Sequence, residues 1–258
     1  MVQVHPTAIV DPRAELDSEV EVGPYSVIGA GVRIGKRTKI HSHAAIQGRT
    51  TLGESNVVFP FATVGSAPQD LKYKGEPSEL TIGSRNTIRE YVSLNPGTTG
   101  GGMVTRVGDQ NLLMMHCHIA HDCTVGNRNV IANGATLGGH VIIEDFVIVG
   151  GLVGIHQFVR IGTSAILGAG SMVSKDVPPY CNATGDRARL RGLNVEGLKR
   201  RGFDPTVIET IRKAYRIAFN SKLRTDDALE WIRRELPAIP ELEKFVTFIA
   251  QSQRGVCR

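Results

Sequence analysis

Histidine is the side chain best suited to moving protons near neutral pH. The stretch Met115-His116-Cys117-His118-Ile119-Ala120-His121-Asp122-Cys123 holds three of the chain's 8 histidines. Asp122 directly follows His121, and a carboxylate beside an imidazole can fix its tautomer and stabilise the cation formed when the ring takes a proton. His140 and His156 follow further along, and Gly139 could present a backbone N–H to a developing oxyanion. Two chemistries suit such a set. Three imidazoles could hold a divalent metal with one position left open, or one neutral imidazole could take the proton of an attacking hydroxyl. Either requires that the intervening chain bring these rings to one place.

A six-residue repeat supplies that regularity. Val, Leu or Ile stands at every sixth position from Val4 to Val64, at Ile82, Ile88 and Leu94, and at every sixth position from Val107 to Val173. Four residues after each stand small or β-branched side chains such as Ala8, Ser26, Ala44, Cys117, Cys123, Asn129 and Ala135. Glycine often follows the aliphatic residue directly (Gly23, Gly35, Gly83, Gly126), where it is expected to permit sharp turns at positive φ. A short strand with one large and one small inward residue, then a corner, three times per coil, predicts a triangular parallel β-helix with coils about 4.8 Å apart. The pattern lacks the alternation of an ordinary strand, and its glycines and β-branched residues oppose an α-helix. Ile119, Leu137 and Ile155 are one coil apart. His121, His140 and His156 lie two, three and one residues after them, so the three rings are predicted to stack near one outer edge, with His118 at the preceding corner. Cys117 and Cys123 take the small inward position and are expected to be buried packing.

Two stretches interrupt the repeat, Asp70–Thr81 and Gly100–Arg106. Loops that leave a regular solenoid usually carry function or touch a neighbour. The repeat ends at Pro178-Pro179. Asp204-Pro205 then places a capping residue before a proline, opening an amphipathic helix to about Asn220. Further helices are predicted over about Thr225–Leu236 and Pro240–Ser252. The expected organisation is a mostly β chain, with a β-helix over 1–185 carrying loops at about 70–81 and 100–106, and a helical C-terminal domain over 190–258.

With 258 residues, 41% hydrophobic and 21% charged, the composition excludes disorder and collagen. The longest apolar run, Phe146–Ile155, contains three glycines and is too short to cross a bilayer, so no membrane insertion is expected. Met1–Val10 lacks the basic start and apolar stretch of a secretory signal, and a cytoplasmic location is the expectation. The 4 cysteines show no CxxC spacing, which predicts reduced thiols and neither disulfides nor a zinc ribbon. Charge is uneven: residues 187–258 carry 16 Lys+Arg against 9 Asp+Glu, and the rest of the chain 14 against 16. A basic C-terminal third points to an acidic partner or phosphates, and without aromatic interleaving it does not point to nucleic acid.

The repeat resembles that of the hexapeptide-repeat transferases. That resemblance implies a left-handed helix, an exception to the crossover rule, and a homotrimer of prisms packed side by side. Further motifs narrow it: His118-Ile119-Ala120-His121-Asp122, the loop Gln69–Pro77, Gly139-His140, His156-Gln157-Phe158, Asp176–Tyr180 and Asn194–Phe203. Together, along essentially the whole chain, they resemble the acyl-carrier-protein–UDP-N-acetylglucosamine O-acyltransferases of lipid A biosynthesis. The resemblance implies transfer of an (R)-3-hydroxyacyl chain from acyl carrier protein to the glucosamine 3-hydroxyl of UDP-GlcNAc, with the carrier's phosphopantetheine thioester as donor and no metal or other cofactor.

Carried over by position, His121 would be the general base, Asp122 its orienting partner and Gly139 the oxyanion donor. Asp70 and Lys72 would reach the substrate from a neighbouring subunit. His118, His140, His156 and Gln157 would line the sugar and acyl groove, and Asn194, Glu196, Arg200 and Arg201 would hold the uridine and phosphates. Ala169 would close the far end of the acyl groove, with Arg187 as a second limit, implying a medium-to-long donor. Where many members read His-Arg-Gly-Thr, this chain reads Asn95-Pro96-Gly97-Thr98. Some relatives acylate a 3-amino sugar, which leaves N-acylation as an alternative. A trimeric metal-dependent hydratase, as in the β-helical carbonic anhydrases whose metal ligands come from two subunits, is a second alternative. A non-catalytic trimeric scaffold is a third, opposed by the histidines and the charged loop.

Overall fold

A computed structural model describes residues 1–258. In it each of the repeat's aliphatic residues ends a short strand, and the strands stack in parallel into sheets of 11, 9 and 8 strands. These are the three faces of a left-handed triangular prism, beginning at Gln3–Val4 (first face), Ile9–Val10 (second) and Glu15–Leu16 (third). Register follows the repeat: Leu94 pairs with Ile119, Ile119 with Leu137 and Leu137 with Ile155. The aliphatic side chains therefore form continuous buried columns from Val22 upward, and the small inward residues, Cys117 and Cys123 among them, are buried beside them. No helix of the chain is long and apolar enough to cross a membrane.

The narrow interior also carries a polar ladder. Asn86 donates its backbone N–H and side-chain amide to Asn56 Oδ1 (2.9 and 3.0 Å), and Asn111 does the same to Asn86 Oδ1 (2.8 and 3.0 Å). Each asparagine thus satisfies a backbone donor of the next coil at a corner where strand pairing lapses, which a buried N–H requires.

The corners differ from the expectation about glycine. Of the glycines directly after a repeat aliphatic residue, only Gly65 has positive φ (83), at the point where the chain leaves the prism. The left-handed conformation lies two residues further on, at Tyr25, Arg37, Phe61, Asp122 (φ 59), His140 (φ 62) and Phe158, among others. Glycine is required at its own position by close approach: a Cβ on Gly35 would lie 2.7 Å from the Gly53 carbonyl carbon, in the next coil. Because most corners of the prism share this left-handed residue, its presence at Asp122 and His140 is a property of the architecture and not strain peculiar to a site.

The excursions begin and end earlier than the breaks in periodicity. Glu79–Ile82 is a four-residue strand pairing with both Arg49–Leu52 and Val104–Val107, so the chain leaves the prism over 66–78 and again over 98–103. At the C-terminal end, Cys181–Thr184 extends the first face and pairs antiparallel with Arg189–Leu193, so residues 190–193 are strand, not helix. Four helices follow, α1 (Val195–Arg200), α2 (Pro205–Asn220), α3 (Thr225–Glu235) and α4 (Pro240–Ala250). Asp204 caps α2, accepting from Thr206 N at 2.7 Å. The sequence reading missed α1 because one and a half turns containing Gly197 show no helical period. The helices bury Ile211, Ile232 and Phe245 among themselves, and α4 lies against the end of the third face through Phe248 under Arg160 (4.4 Å).

Candidate active site

His118–Ile119 is a strand of the second face, and the chain turns at Ala120–Cys123 onto the third. The turn places His121 outward and Asp122 inward. His121 Nδ1 lies 2.8 Å from Asp122 Oδ2, and because a carboxylate only accepts, the neutral ring carries its proton on Nδ1 and turns Nε2 outward as an acceptor. The Asp122 side chain is 0% exposed and meets no Lys or Arg. Its carboxylate accepts from Thr98 N (2.9 Å) and Thr98 Oγ1 (2.6 Å), and its backbone N–H donates to Thr105 Oγ1 (2.8 Å). Thr98 is a partner the sequence reading missed. The available signal was that a buried carboxylate without a cation needs donors, and that the second excursion leaves from Leu94, the strand directly below Ile119.

A groove of about 630 Å³ opens beside Nε2 and runs across the second face toward Met172. His118, His121, His156, Gln157 and Gly139 all line it, together with Gln69 and Asn95, which had no assigned role. Three expectations need correction. His118 lies within the strand, not at a corner, with Nδ1 2.7 Å from Ser93 Oγ, and burial lowers its pKa. His140 does not line the groove. It meets His121 edge-on (5.2 Å between centroids), stacks on Phe158 (4.3 Å), and has its pKa lowered mainly by burial against an opposing pull from Asp122. The three rings do not stack on one another, because offsets of two, three and one residues aim them in different directions from the corner. His156 instead turns its Nδ1 to Gln157 O (3.0 Å).

The metal alternative is therefore not met by the three imidazoles. His121, Asp122 and His140 do place ligand atoms within 4.8 Å of one another. But Asp122 Oδ2 already accepts from both Thr98 and His121, so the arrangement is a closed hydrogen-bond network rather than the open cage a catalytic metal uses.

Gly139 has a double role. A Cβ there would lie 2.5 Å from His121 Cε1 and 2.7 Å from Nε2, so only glycine leaves room for the ring, while its N–H makes no hydrogen bond within the chain. Gly139→Ala is expected to displace the imidazole and lower turnover by roughly 10–100-fold, since a 1 Å misplacement can cost that much. The melting temperature should change little, because the clash is at the surface. Turnover and thermal melting check this, and an Ala variant as active as the parent would show that the ring position is not critical.

The remaining predicted residues are dispersed. Asp70 approaches His121 within its own chain (Oδ2 to Nε2 3.9 Å), its loop curled by Lys72 N donating to Asp70 Oδ1 (3.0 Å). Lys72 faces a separate hollow with Leu71, Lys74 and Glu76. Asn194 is occupied as the cap of α1, accepting from Gly197 N (3.1 Å) and donating to Ser164 O (3.0 Å). Glu196 pairs with Lys199 (3.2 Å), and Arg200 is exposed. The Arg201 guanidinium lies 3.5 Å over the Phe146 ring and donates to Ser164 Oγ.

Ser164 and Phe146 belong to the edge between third and first faces, whereas His121 belongs to the edge between second and third. Ala169 is exposed at the remaining edge, with Arg187 in the hairpin turn above it. Three groups of predicted residues thus occupy three edges of one prism, and one chain cannot bring them together.

Two family models match: UDP N-acetylglucosamine O-acyltransferase, domain 2, over residues 176–257, and bacterial transferase hexapeptide (six repeats) over 105–139. The chain is 50% identical to the acyl-[acyl-carrier-protein]–UDP-N-acetylglucosamine O-acyltransferase of Thermodesulfovibrio yellowstonii and 54% identical to that of Myxococcus xanthus, each over 100% of both chains. Among solved structures it is similar to LpxA from Acinetobacter baumannii (46% identity, TM-score 0.97, 99% of each chain). It is also similar to a UDP-N-acetylglucosamine acyltransferase from Bacteroides fragilis (42% identity, TM-score 0.97, 99% of this chain and 100% of that one).

Proposed function

The chain belongs to the acyl-[acyl-carrier-protein]–UDP-N-acetylglucosamine O-acyltransferase family, and from that premise we propose how its residues carry the reaction. It is an acyltransferase of the first step of lipid A biosynthesis, moving an (R)-3-hydroxyacyl chain from acyl carrier protein to the 3-position of UDP-GlcNAc. His121 Nε2 takes the proton of the glucosamine 3-hydroxyl as that oxygen attacks the thioester carbonyl. Asp122 stabilises the resulting imidazolium. The Gly139 N–H meets the oxyanion of the tetrahedral intermediate. As the intermediate collapses the carbon–sulfur bond breaks, and the imidazolium returns its proton to the departing phosphopantetheine thiolate. The pairing of buried Asp122 with His121, whose Nε2 opens onto the groove, is the observation that carries this reading.

The same reading makes the enzyme a homotrimer. The nucleotide set on α1 and the acyl-length set around Ala169 lie on other edges than His121, so a neighbouring prism must supply at least one of them. Arg200 and Arg201 suit the phosphates through their forked donors, with Asn194 and Glu196 shaping that end. The basic C-terminal region docks the acidic carrier, and the reaction is cytoplasmic.

Turnover with UDP-GlcNAc, its 3-amino analogue and a panel of 3-hydroxyacyl carrier proteins tests the assignment. An ester product from UDP-GlcNAc is expected, and turnover of the amino sugar alone would replace O-acylation by N-acylation. Ala169→Met should shift the donor optimum to shorter chains without changing the acceptor, because each methylene that fits contributes about 0.8 kcal/mol and one that does not meets steric refusal. An unchanged donor profile would show that the chain runs elsewhere.

A further inference from the structure

The Asp122 carboxylate has no Lys or Arg to balance it. The titratable groups around it are His121 on its own turn, His140 from the next coil (Nε2 to Oδ2 3.8 Å), Asp70 from the first excursion, 3.9 Å from His121, and His118 from the preceding strand. A carboxylate buried without donors takes up a proton rather than remain charged. Here Thr98 supplies two donors, one to each oxygen, and all of its polar groups are committed. Its N–H and hydroxyl bind Asp122, and its carbonyl accepts from Gly101 N (3.1 Å) and Met103 N (3.0 Å), closing the second excursion on itself. Gly101 seals the carboxylate from outside, since a Cβ there would fall 2.0 Å from Asp122 Cγ. The 98–103 excursion is built around delivering Thr98 to Asp122.

We propose that Thr98 is a positioning residue of the acyl transfer, holding Asp122 as an oriented anion and thereby keeping the His121 proton on Nδ1 and Nε2 free. The proposal rests on His121 being the general base, and Thr98 itself touches no reacting atom. Thr98 and His121 share Oδ2. Removing the hydroxyl therefore leaves the Asp122–His121 pair holding a proton more tightly, whichever partner carries it.

Thr98→Val keeps the side chain's shape and removes only the hydroxyl. It is expected to lower kcat about 10- to 100-fold, the range for a hydrogen bond to a charged group, with KM for UDP-GlcNAc unchanged and the acid limb of kcat/KM moved to higher pH. Thr98→Ser should restore both. Nitrogen NMR of ¹⁵N-histidine-labelled protein without substrate should show His121 titrating at higher pH in the Val variant only. Unchanged kcat and acid limb in Thr98→Val would overturn the proposal. So would equal losses in the Val and Ser variants with an unmoved imidazole titration, the mark of a merely structural residue. A parent protein that acylates no UDP-sugar would sink the general-base reading instead, and the imidazole titration would still decide whether Thr98 governs the pair.

Discussion

His121→Ala is expected to lower acyl transfer by roughly 10²–10⁴-fold or more, with the melting temperature and the assembly intact. The ring projects from a corner into the groove and contributes nothing to the buried columns, so its removal opens no cavity in the core. What is lost is the only unprotonated nitrogen that both faces the groove and is backed by a carboxylate. His118 and His156 also line the groove, but His118 binds Ser93 and His156 binds a backbone carbonyl, so neither can stabilise the cation as Asp122 does. Kinetics on purified protein and thermal melting read the two quantities separately. Near-normal turnover would end the assignment of His121 as base.

Asp122→Asn is expected to be nearly as severe, about 10³–10⁴-fold by analogy with other His–carboxylate pairs, and for a reason that the donor set makes explicit. Asp122 accepts from three donors: Thr98 N, Thr98 Oγ1 and His121 Nδ1. An asparagine can accept only through one oxygen. With that oxygen on Thr98 N, its NH₂ faces Nδ1, and the imidazole must then carry its proton on Nε2, where it cannot act as base. The Thr98 hydroxyl can turn to accept, so the fold should survive while the tautomer is wrong. Nitrogen NMR of His121 would show the change of protonated nitrogen directly, and an Asn variant that keeps both the Nδ1 proton and its activity would refute the account.

Legibility divides along physical lines. The prism could be read from one strand of evidence, the six-residue period, because which residues point inward in a β-helix depends on local backbone geometry alone, and each coil meets only its neighbours. The same arithmetic brought His121, His140 and Gly139 to one edge, and adjacency in the chain was enough to pair His121 with Asp122. Arithmetic failed where direction mattered. His140 occupies the left-handed corner position and stacks on Phe158 at the same position of the next coil, whereas His121 and His156 stand one and two residues before the equivalent position, so the three rings leave the shared edge in different directions.

The short helix α1 and the true bounds of the two excursions were also beyond the period, since broken periodicity marks where regularity stops but not where strand pairing resumes. What the amino-acid sequence by itself determined is the prism, its columns and the coil on which the base sits. Only the tertiary structure decided that Thr98 reaches Asp122, from 24 residues away along the chain, and that the base, the α1 arginines and Ala169 stand on three separate edges. Both depend on the path of chain that leaves the repeat, which no neighbouring coil dictates. They depend equally on a closed triangular cross-section, which separates residues that only a second prism can bring back together.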